Sequence, residues 1–402
     1  MKQDTIKGET ALPREIWILG FVSMLMDISS EMIHGLLPVY LTTVLMASPL
    51  TVGVIEGIAE ATAAITKLFS GALSDRLRNR KVLTALGYGL AAASKPIFPL
   101  ATTVGWVVVA RFIDRLGKGI REAPRDALIA DLTPGALRGA SFGLRQALDT
   151  VGAFVGPLMA IGLMWLTAGR FTAVFWLAVV PAACAVALIV FAVKEPARRR
   201  DDTTARAALH GADLRRLGAA YWELIAIAAL FSLARFSEAF LLLRASALGV
   251  PAALTPAALV IMNVAYAASA YPLGAISDRT DRSVILSLGL IVLASADIVL
   301  ALTSGWGSLV TGIVLWGIHL GCTQGLLSAL VADAAPEDLR GTAFGVFYLV
   351  TGTALLAASF LAGLIWDRAG PAATFATGAA LACLTLVVLV AVRLCGTTRR
   401  AG

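Results

Sequence analysis

Charge is scarce in this chain: Asp, Glu, Lys and Arg make up only 15% of 402 residues, against about 25% in a soluble globular domain. Histidine is scarcer, with His34, His210 and His319 only. The four cysteines, Cys184, Cys322, Cys383 and Cys395, lie in or beside apolar runs with no C-x-x-C spacing. That pattern speaks against a disulfide framework and against the common zinc sites. No Walker A sequence and no serine or cysteine nucleophile motif occurs, so ATP is not the expected energy source. No cofactor is expected, and the chain does not read as an enzyme. Strand-period alternation is also missing, which argues against an outer-membrane barrel. The first apolar run is too long for the h-region of a cleavable signal peptide.

What is present is apolar length. Hydrophobic residues make up 58% of the chain, and the mean hydropathy is +0.82. A helix needs about 20 apolar residues to span the hydrocarbon core, and a spanning backbone must satisfy its own hydrogen bonds. Twelve such spans are predicted, near 16–43, 50–73, 82–102, 104–130, 140–166, 172–193, 219–245, 255–277, 283–303, 305–332, 340–366 and 371–394. The polar stretch 194–218 separates an N-terminal six-helix half (1–193) from a C-terminal one (219–402). Lipid is therefore an expected surrounding.

The net charge of +7 is not a nucleic-acid footprint, because the basic residues sit at helix ends and in short loops. Arg76, Arg78, Arg80 and Lys81 follow span two, Arg138 span four, Arg279 and Arg282 span eight, and Arg340 span ten. Lys194, Arg198, Arg199, Arg200, Arg206, Arg215 and Arg216 fill the linker; the opposite loops carry only Arg170 and Arg368. This bias predicts both termini and the linker on the cytoplasmic side. His210, also in the linker, is read as solvated.

The two halves repeat. GALSDRLRNRKVL from Gly71 matches GAISDRTDRSVIL from Gly274, and DLTPGALRGASFG from Asp131 matches DAAPEDLRGTAFG from Asp333, at offsets of 203 and 202 residues. Paired motifs at nearly one offset mean two homologous halves, a common transporter architecture.

These residues resemble the major facilitator superfamily over the whole chain. The resemblance implies an all-α membrane protein of twelve transmembrane helices in two six-helix halves, placed in a bacterial inner membrane and expected to act as a monomer. Gly71, Asp75, Arg76, Arg80 and Lys81 resemble the family's cytoplasmic loop signature, a gate motif whose second copy keeps Gly274, Asp278 and Arg279. Arg115, Lys118 and Gly119 resemble its R-x-x-Q-G motif, with Lys118 where the family often has Gln. Gly152, Gly156 and Pro157 are similar to the antiporter motif of drug–proton exchangers, and equally suit tight helix packing. MDISSEMIH, the span-four charged run and FGLRQALDTVGAFVGP look like a bacterial subgroup that includes nickel-resistance permeases. Some of those carry a His-rich tail, whereas this chain ends CGTTRRAG.

Charges inside spans cost about 2.5–3.5 kcal/mol each on insertion scales, so each is a functional candidate. Met24, Asp27, Glu31 and His34 fall within roughly an 80° arc of span one. Asp27 and Glu31 suit proton exchange or structural pairing, and with His34 they could ligate a divalent metal. Arg111, Asp114, Arg115, Lys118, Arg121, Glu122, Arg125 and Asp126 share roughly a 140° arc of span four. Asp114 and Lys118 are predicted to pair at i,i+4. Arg125 and Asp126 read as gate residues; Arg111, Arg115 and Lys118 read as either cavity or pairing residues. Glu56, Glu60 and Lys67 share a face of span two, with Glu56 expected near water. Arg235 and Glu238 in span seven are predicted i,i+3 partners, and Lys95-Pro96 a snorkelling kink. His319, Cys322 and Gln324 form a weak polar patch in span ten.

The pattern supports a secondary active transporter that exchanges protons for a small molecule or ion, with efflux favoured. A divalent-metal exporter and a non-transporting membrane receptor on the same fold remain open at this point.

Overall fold

A computed structural model describes residues 12–77, 79–134, 137–193, 214, 216–277, 280–336 and 339–401. The linker calls between 194 and 213, with His210 and Arg215, lie outside these residues, as do Arg78, Asp278 and Arg279. At Gly71, Asp75, Arg76, Gly274 and Arg340 the side chains are likewise outside the described set.

Helix follows helix, with no strand among the described residues. The first group comprises α1 (Arg14–His34), α2 (Leu37–Thr43), α3 (Pro49–Leu77), α4 (Arg80–Ser94), α5 (Ile97–Leu100), α6 (Val104–Leu132), α7 (Arg138–Leu166) and α8 (Phe171–Ala192). The second comprises α9 (Ala219–Ala234), α10 (Ala239–Ala247), α11 (Ala257–Ser277), α12 (Arg282–Leu302), α13 (Trp306–Ala334) and α14 (Arg340–Ala401). α14 contains a non-helical residue, Gly370 at φ 85°, just before Pro371. That φ belongs to the left-handed region that glycine enters without penalty.

Among the described residues, eight helical stretches are long and apolar enough to cross a membrane. α3 and α6 reach 29 residues each but carry more charge than those eight. α4 stops at Ser94, just before Lys95-Pro96, since proline removes a helical donor and clashes with the preceding turn. Local caps fix other boundaries. The Asn79 side chain accepts from Val82 N–H at 3.1 Å to start α4, and Asp281 accepts from Ser283 N–H at 3.0 Å to start α12. The Ser283 N–H and hydroxyl hold the Asp281 carboxyl below its usual range, and Arg393 beside it adds to the effect.

α1 packs on α7 and α8, α6 on α3 and α4, and α13 on α11 and α12. α3 lies along α14, and α7 meets α11, where the Asn263 amide donates to the Ala153 carbonyl at 3.3 Å. These two contacts join the first helix group to the second. The outer surface is apolar, with Trp17, Phe69, Trp165, Phe191 and Leu302 exposed, while Arg111, Asp114 and Arg115 are buried. That inversion suits lipid outside and a polar interior.

At one end of the assembly two short helices meet. Leu36, Leu37, Tyr40 and Leu41 at the start of α2 are buried, as are Phe240, Leu241 and Leu242 in α10, and the two short helices touch.

Candidate functional site

On α6 the charges recur at three- and four-residue steps, which stacks them on one face. α1 presents Asp27, Glu31 and His34 in the same way, and α3 presents Glu56, Glu60 and Lys67. The three helices converge, and their charges meet in rungs.

In the first rung Arg111 holds Glu56 with two hydrogen bonds, Nε to Oε1 at 3.1 Å and Nη2 to Oε2 at 2.6 Å. Bidentate charge-assisted pairs of this kind are among the stronger polar contacts. His34 lies between two glutamates, Nδ1 at 3.4 Å from Glu31 and Nε2 at 3.6 Å from Glu56. One turn along, Asp114 collects three cations: Lys95 at 2.8 Å, Arg115 at 3.5 Å and Arg111 at 3.7 Å. Lys95 also donates to Ser30 Oγ at 2.9 Å. Arg115 reaches Glu60 at 3.4 Å. Lower still, Glu122 meets Lys67 at 3.0 Å and Lys118 at 4.0 Å, and Lys67 sits 4.9 Å above the Tyr348 ring of α14. In the last rung Arg125 bonds Asp126 at 3.1 Å and donates to Ser23 at 2.6 Å. Arg145 and Asp149 of α7 pair beside it at 2.9 Å.

Several expectations change. Asp114 does not take Lys118; its partners come from α4 and from its own neighbours. Lys95 does not snorkel, because with 1% of its surface exposed it is committed to Asp114 and Ser30. Glu56 does not meet water: it is 2% exposed and held by Arg111. Arg235 and Glu238 form no direct ion pair, since the helix breaks between them. Arg235 is extended at φ −107° and ψ 91°, α10 resumes at Ala239, and no ion pair joins the two. Among the described residues no group of three or more His, Cys, Asp or Glu side chains is placed to hold a metal ion. His34 therefore has no metal-ligand set with Asp27 and Glu31, and its neighbouring Glu56 is committed to Arg111.

Gly152 and Gly156 mark where α7 touches α1. A Cβ on Gly152 would lie 2.8 Å from the Met24 carbonyl and 2.9 Å from Asp27 Cβ. One on Gly156 would lie 2.7 Å from Glu31 Cβ and 2.9 Å from the Ile28 carbonyl. The G-x-x-x-G-P spacing is thus a packing seam at the backbone of the two carboxylates, with Pro157 buried beside it.

A cavity of about 220 Å³ opens off the ladder. Glu31 and His34 of α1, Glu56 and Glu60 of α3, and Arg115 and Lys118 of α6 line one side; the other is lined by Arg235, Phe236, Ser237 and Glu238 in the α9–α10 break, Gln324 of α13 and Leu355 of α14. Asp27 is not in this lining. It lies one turn below, with Asp149, Arg121, Lys118 and Arg125 as its charged neighbours.

At the helix ends Arg80 pairs with Asp131 at 2.6 Å, and Arg282 pairs with Asp333. Lys81 donates to the Val190 carbonyl at 3.0 Å. Sequence reading missed Asp131 and Asp333 as partners, although each opens one of the repeated DLTP and DAAP motifs. It also missed Asp297 of α12, fully buried, with Oδ1 accepting from the Trp316 indole at 3.1 Å and Oδ2 lacking a hydrogen-bond partner. His319 is buried too, stacked 5.4 Å from Phe231 with Nδ1 at 2.8 Å from the Gly289 carbonyl.

Known proteins are similar to this chain. An uncharacterized MFS-type transporter of Methanocaldococcus jannaschii is 32% identical over 394 residues, covering 96% of this chain and 97% of that protein. The inner membrane transport protein YajR of Escherichia coli is 26% identical, covering 93% and 82%. A solved POT family transporter in complex with a thioalcohol-conjugated peptide superposes with a TM-score of 0.79 over 98% of each chain, at 14% identity, a likeness of fold. The profile of the Major Facilitator Superfamily matches residues 19–352 and 224–400. With an internal repeat, a bundle of membrane-length helices and a polar cavity between the helix groups, the chain is a multi-pass membrane protein belonging to the Major Facilitator Superfamily.

Proposed function

We propose that the chain is a secondary active transporter of twelve spans, exporting a small solute in exchange for protons by alternating access of two six-helix halves, 1–193 and 219–402. Counting α1 with α2, α4 with α5, α9 with α10, and α14 as two spans turning at Gly370 gives six spans on each side of the 194–218 linker. The 62 residues of α14 are too many for one crossing, since about 20 suffice. The Lys/Arg bias supports cytoplasmic termini in a bacterial inner membrane, and the resemblance of Gly152, Gly156 and Pro157 to an antiporter motif supports export.

The observation that carries this reading is the cavity: both helix groups line it, and it holds titratable groups on a broken helix and on the charged ladder. Glu31, in the lining, and Asp27, one turn below, are assigned to proton coupling; Arg111, Asp114, Arg115 and Lys118 shape the cavity wall. The repeated signature around Asp75 and Asp278 is assigned to the cytoplasmic gate. Protein reconstituted into vesicles loaded with a small-metabolite extract tests this. An acid exterior is expected to speed release of particular solutes, read by mass spectrometry, and Glu31→Gln is expected to abolish the stimulation by the gradient. Release that ignores the gradient in the wild type sinks the coupling; no release at all sinks the transporter reading.

A further inference from the structure

We propose that the cavity is built for a small zwitterion, a molecule carrying one carboxylate and one ammonium group, clamped by Arg235 and Glu238. The proposal rests on the transporter reading and names its substrate class.

The charges around the cavity divide into two sets. Glu56 is held by Arg111, Arg115 by Glu60 and Asp114, and His34 lies beside Glu31. Lys118 leans towards Glu122. Each of these groups thus has a polar or charged neighbour inside the protein. Arg235 and Glu238 have no ion-pair partner within 4 Å among the described residues; His34 and Arg235 are among Glu238's charged neighbours around the cavity, and both Arg235 and Glu238 line it with opposite charge. In a continuous helix they would be i,i+3 neighbours able to pair. The break at 235–238 prevents this and turns both into the lining.

A charge without a direct partner in a cavity wall is best answered by a ligand group of opposite sign, so the best occupant satisfies both groups at once. A guanidinium takes a carboxylate by two parallel hydrogen bonds, and a carboxylate accepts from an ammonium. A monocation would leave Arg235 unanswered, and a monoanion would leave Glu238 unanswered. Size narrows the class further. The volume of about 220 Å³ is below the roughly 300–1,000 Å³ of sites for drug-sized ligands, which points to a solute of amino-acid size. Phe236 and Leu355 supply apolar wall for a short hydrocarbon spacer. Glu31, across the cavity, offers a second acceptor for the ammonium and so ties the substrate to the coupling carboxylate.

The test is equilibrium binding by calorimetry to the purified full-length protein. The probes are the series of ω-amino acids from glycine to 6-aminohexanoate, each compared with the amine and the acid of the same chain length. At least one member is expected to bind saturably and at least tenfold more tightly than either single-charge analogue. Arg235→Gln and Glu238→Gln are each expected to weaken it at least tenfold, with size-exclusion profile and unfolding temperature unchanged, and Arg235→Lys to recover part of the loss. The proposal is overturned if the amine binds as well as the zwitterion and responds only to Glu238→Gln, if the acid does so and responds only to Arg235→Gln, or if no member binds to folded protein. The measurement needs no gradient, so it can fail while proton-driven release from vesicles stands. Intact binding with gradient-independent release would remove the coupling alone.

Discussion

The repeat places Lys95 over Asp297 and Asp114 over Trp316, each 202 residues on. Both pairs bridge corresponding elements of their region: the C-terminal cap of α4 to α6 in the first, α12 to α13 in the second. The partners stand 19 residues apart in both. Yet the first is an ion pair inside a network of six charges, Lys95, Arg111 and Arg115 with Asp114, Glu56 and Glu60. The second is a single carboxyl on an indole, with Gly378 close against it. At the positions of Arg111, Arg115 and Lys118 the second copy has Ile313, Gly317 and Leu320. One backbone arrangement thus supports an electrostatic core and a largely apolar one. The charged rungs belong to the first region, and the second contributes a broken helix that brings its two charges to the cavity.

The largest effect should come from the centre of the ladder. Asp114 touches three cations, so Asp114→Asn leaves all three under-compensated. Removing one partner of a buried ion pair costs about 3–5 kcal/mol. A fall of that order is expected in the unfolding free energy of detergent-solubilised protein. Lys95→Met should cost less, because Asp114 keeps Arg111 and Arg115. Equal losses in the two variants would mean that Asp114 is not the hub.

The second region should respond more mildly. Trp316→Phe removes the indole N–H and leaves the buried Asp297 carboxyl without its hydrogen bond, a loss of about 1–3 kcal/mol. Replacing both partners with apolar groups can be nearly neutral, so Trp316→Phe with Asp297→Leu should recover most of that loss. The same double replacement at Lys95 and Asp114 should recover less, because Arg111 and Arg115 each lose a contact with Asp114 and keep only Glu56 and Glu60. A double variant in the second region as unstable as the sum of its singles would erase the contrast.

Much of the ladder was legible because charge inside an apolar run at helical spacing has few meanings. The α6 stripe, the α3 face and Glu31 with His34 were readable on that ground, and the glycine spacing of α7 marked its seam. Partner identity was not, because Lys95 and Asp114 lie on different helices and local i,i+4 logic points to Lys118 instead. The break at Arg235 was hidden because Arg-Phe-Ser-Glu contains neither proline nor glycine, and nothing local stops the helix. Its one trace is comparative: α1 breaks after His34, the position that the 203-residue offset places on Ser237. Asp297, a lone acid among apolar residues, becomes visible by the same alignment with Lys95.

At the helix ends the two regions converge again, and the smallest effects are expected there. Arg80–Asp131 and Arg282–Asp333 are the same pair in two copies, related by the 202-residue offset. Both are substantially exposed, with Asp131 at 44% and Asp333 at 65%. Exposed ion pairs contribute about 0–1 kcal/mol, because water screens the attraction and two long side chains lose freedom. Arg80 also donates to the Ala127 carbonyl at 3.0 Å, so it stays tethered without its carboxylate. Asp131→Asn and Asp333→Asn should therefore each lower stability by less than about 1 kcal/mol. The differences from wild type should shrink in 1 M salt, where the Debye length falls to about 3 Å. If Asp131→Asn costs as much as Asp114→Asn, or if its cost persists in high salt, then burial does not set the energetic ranking of these pairs.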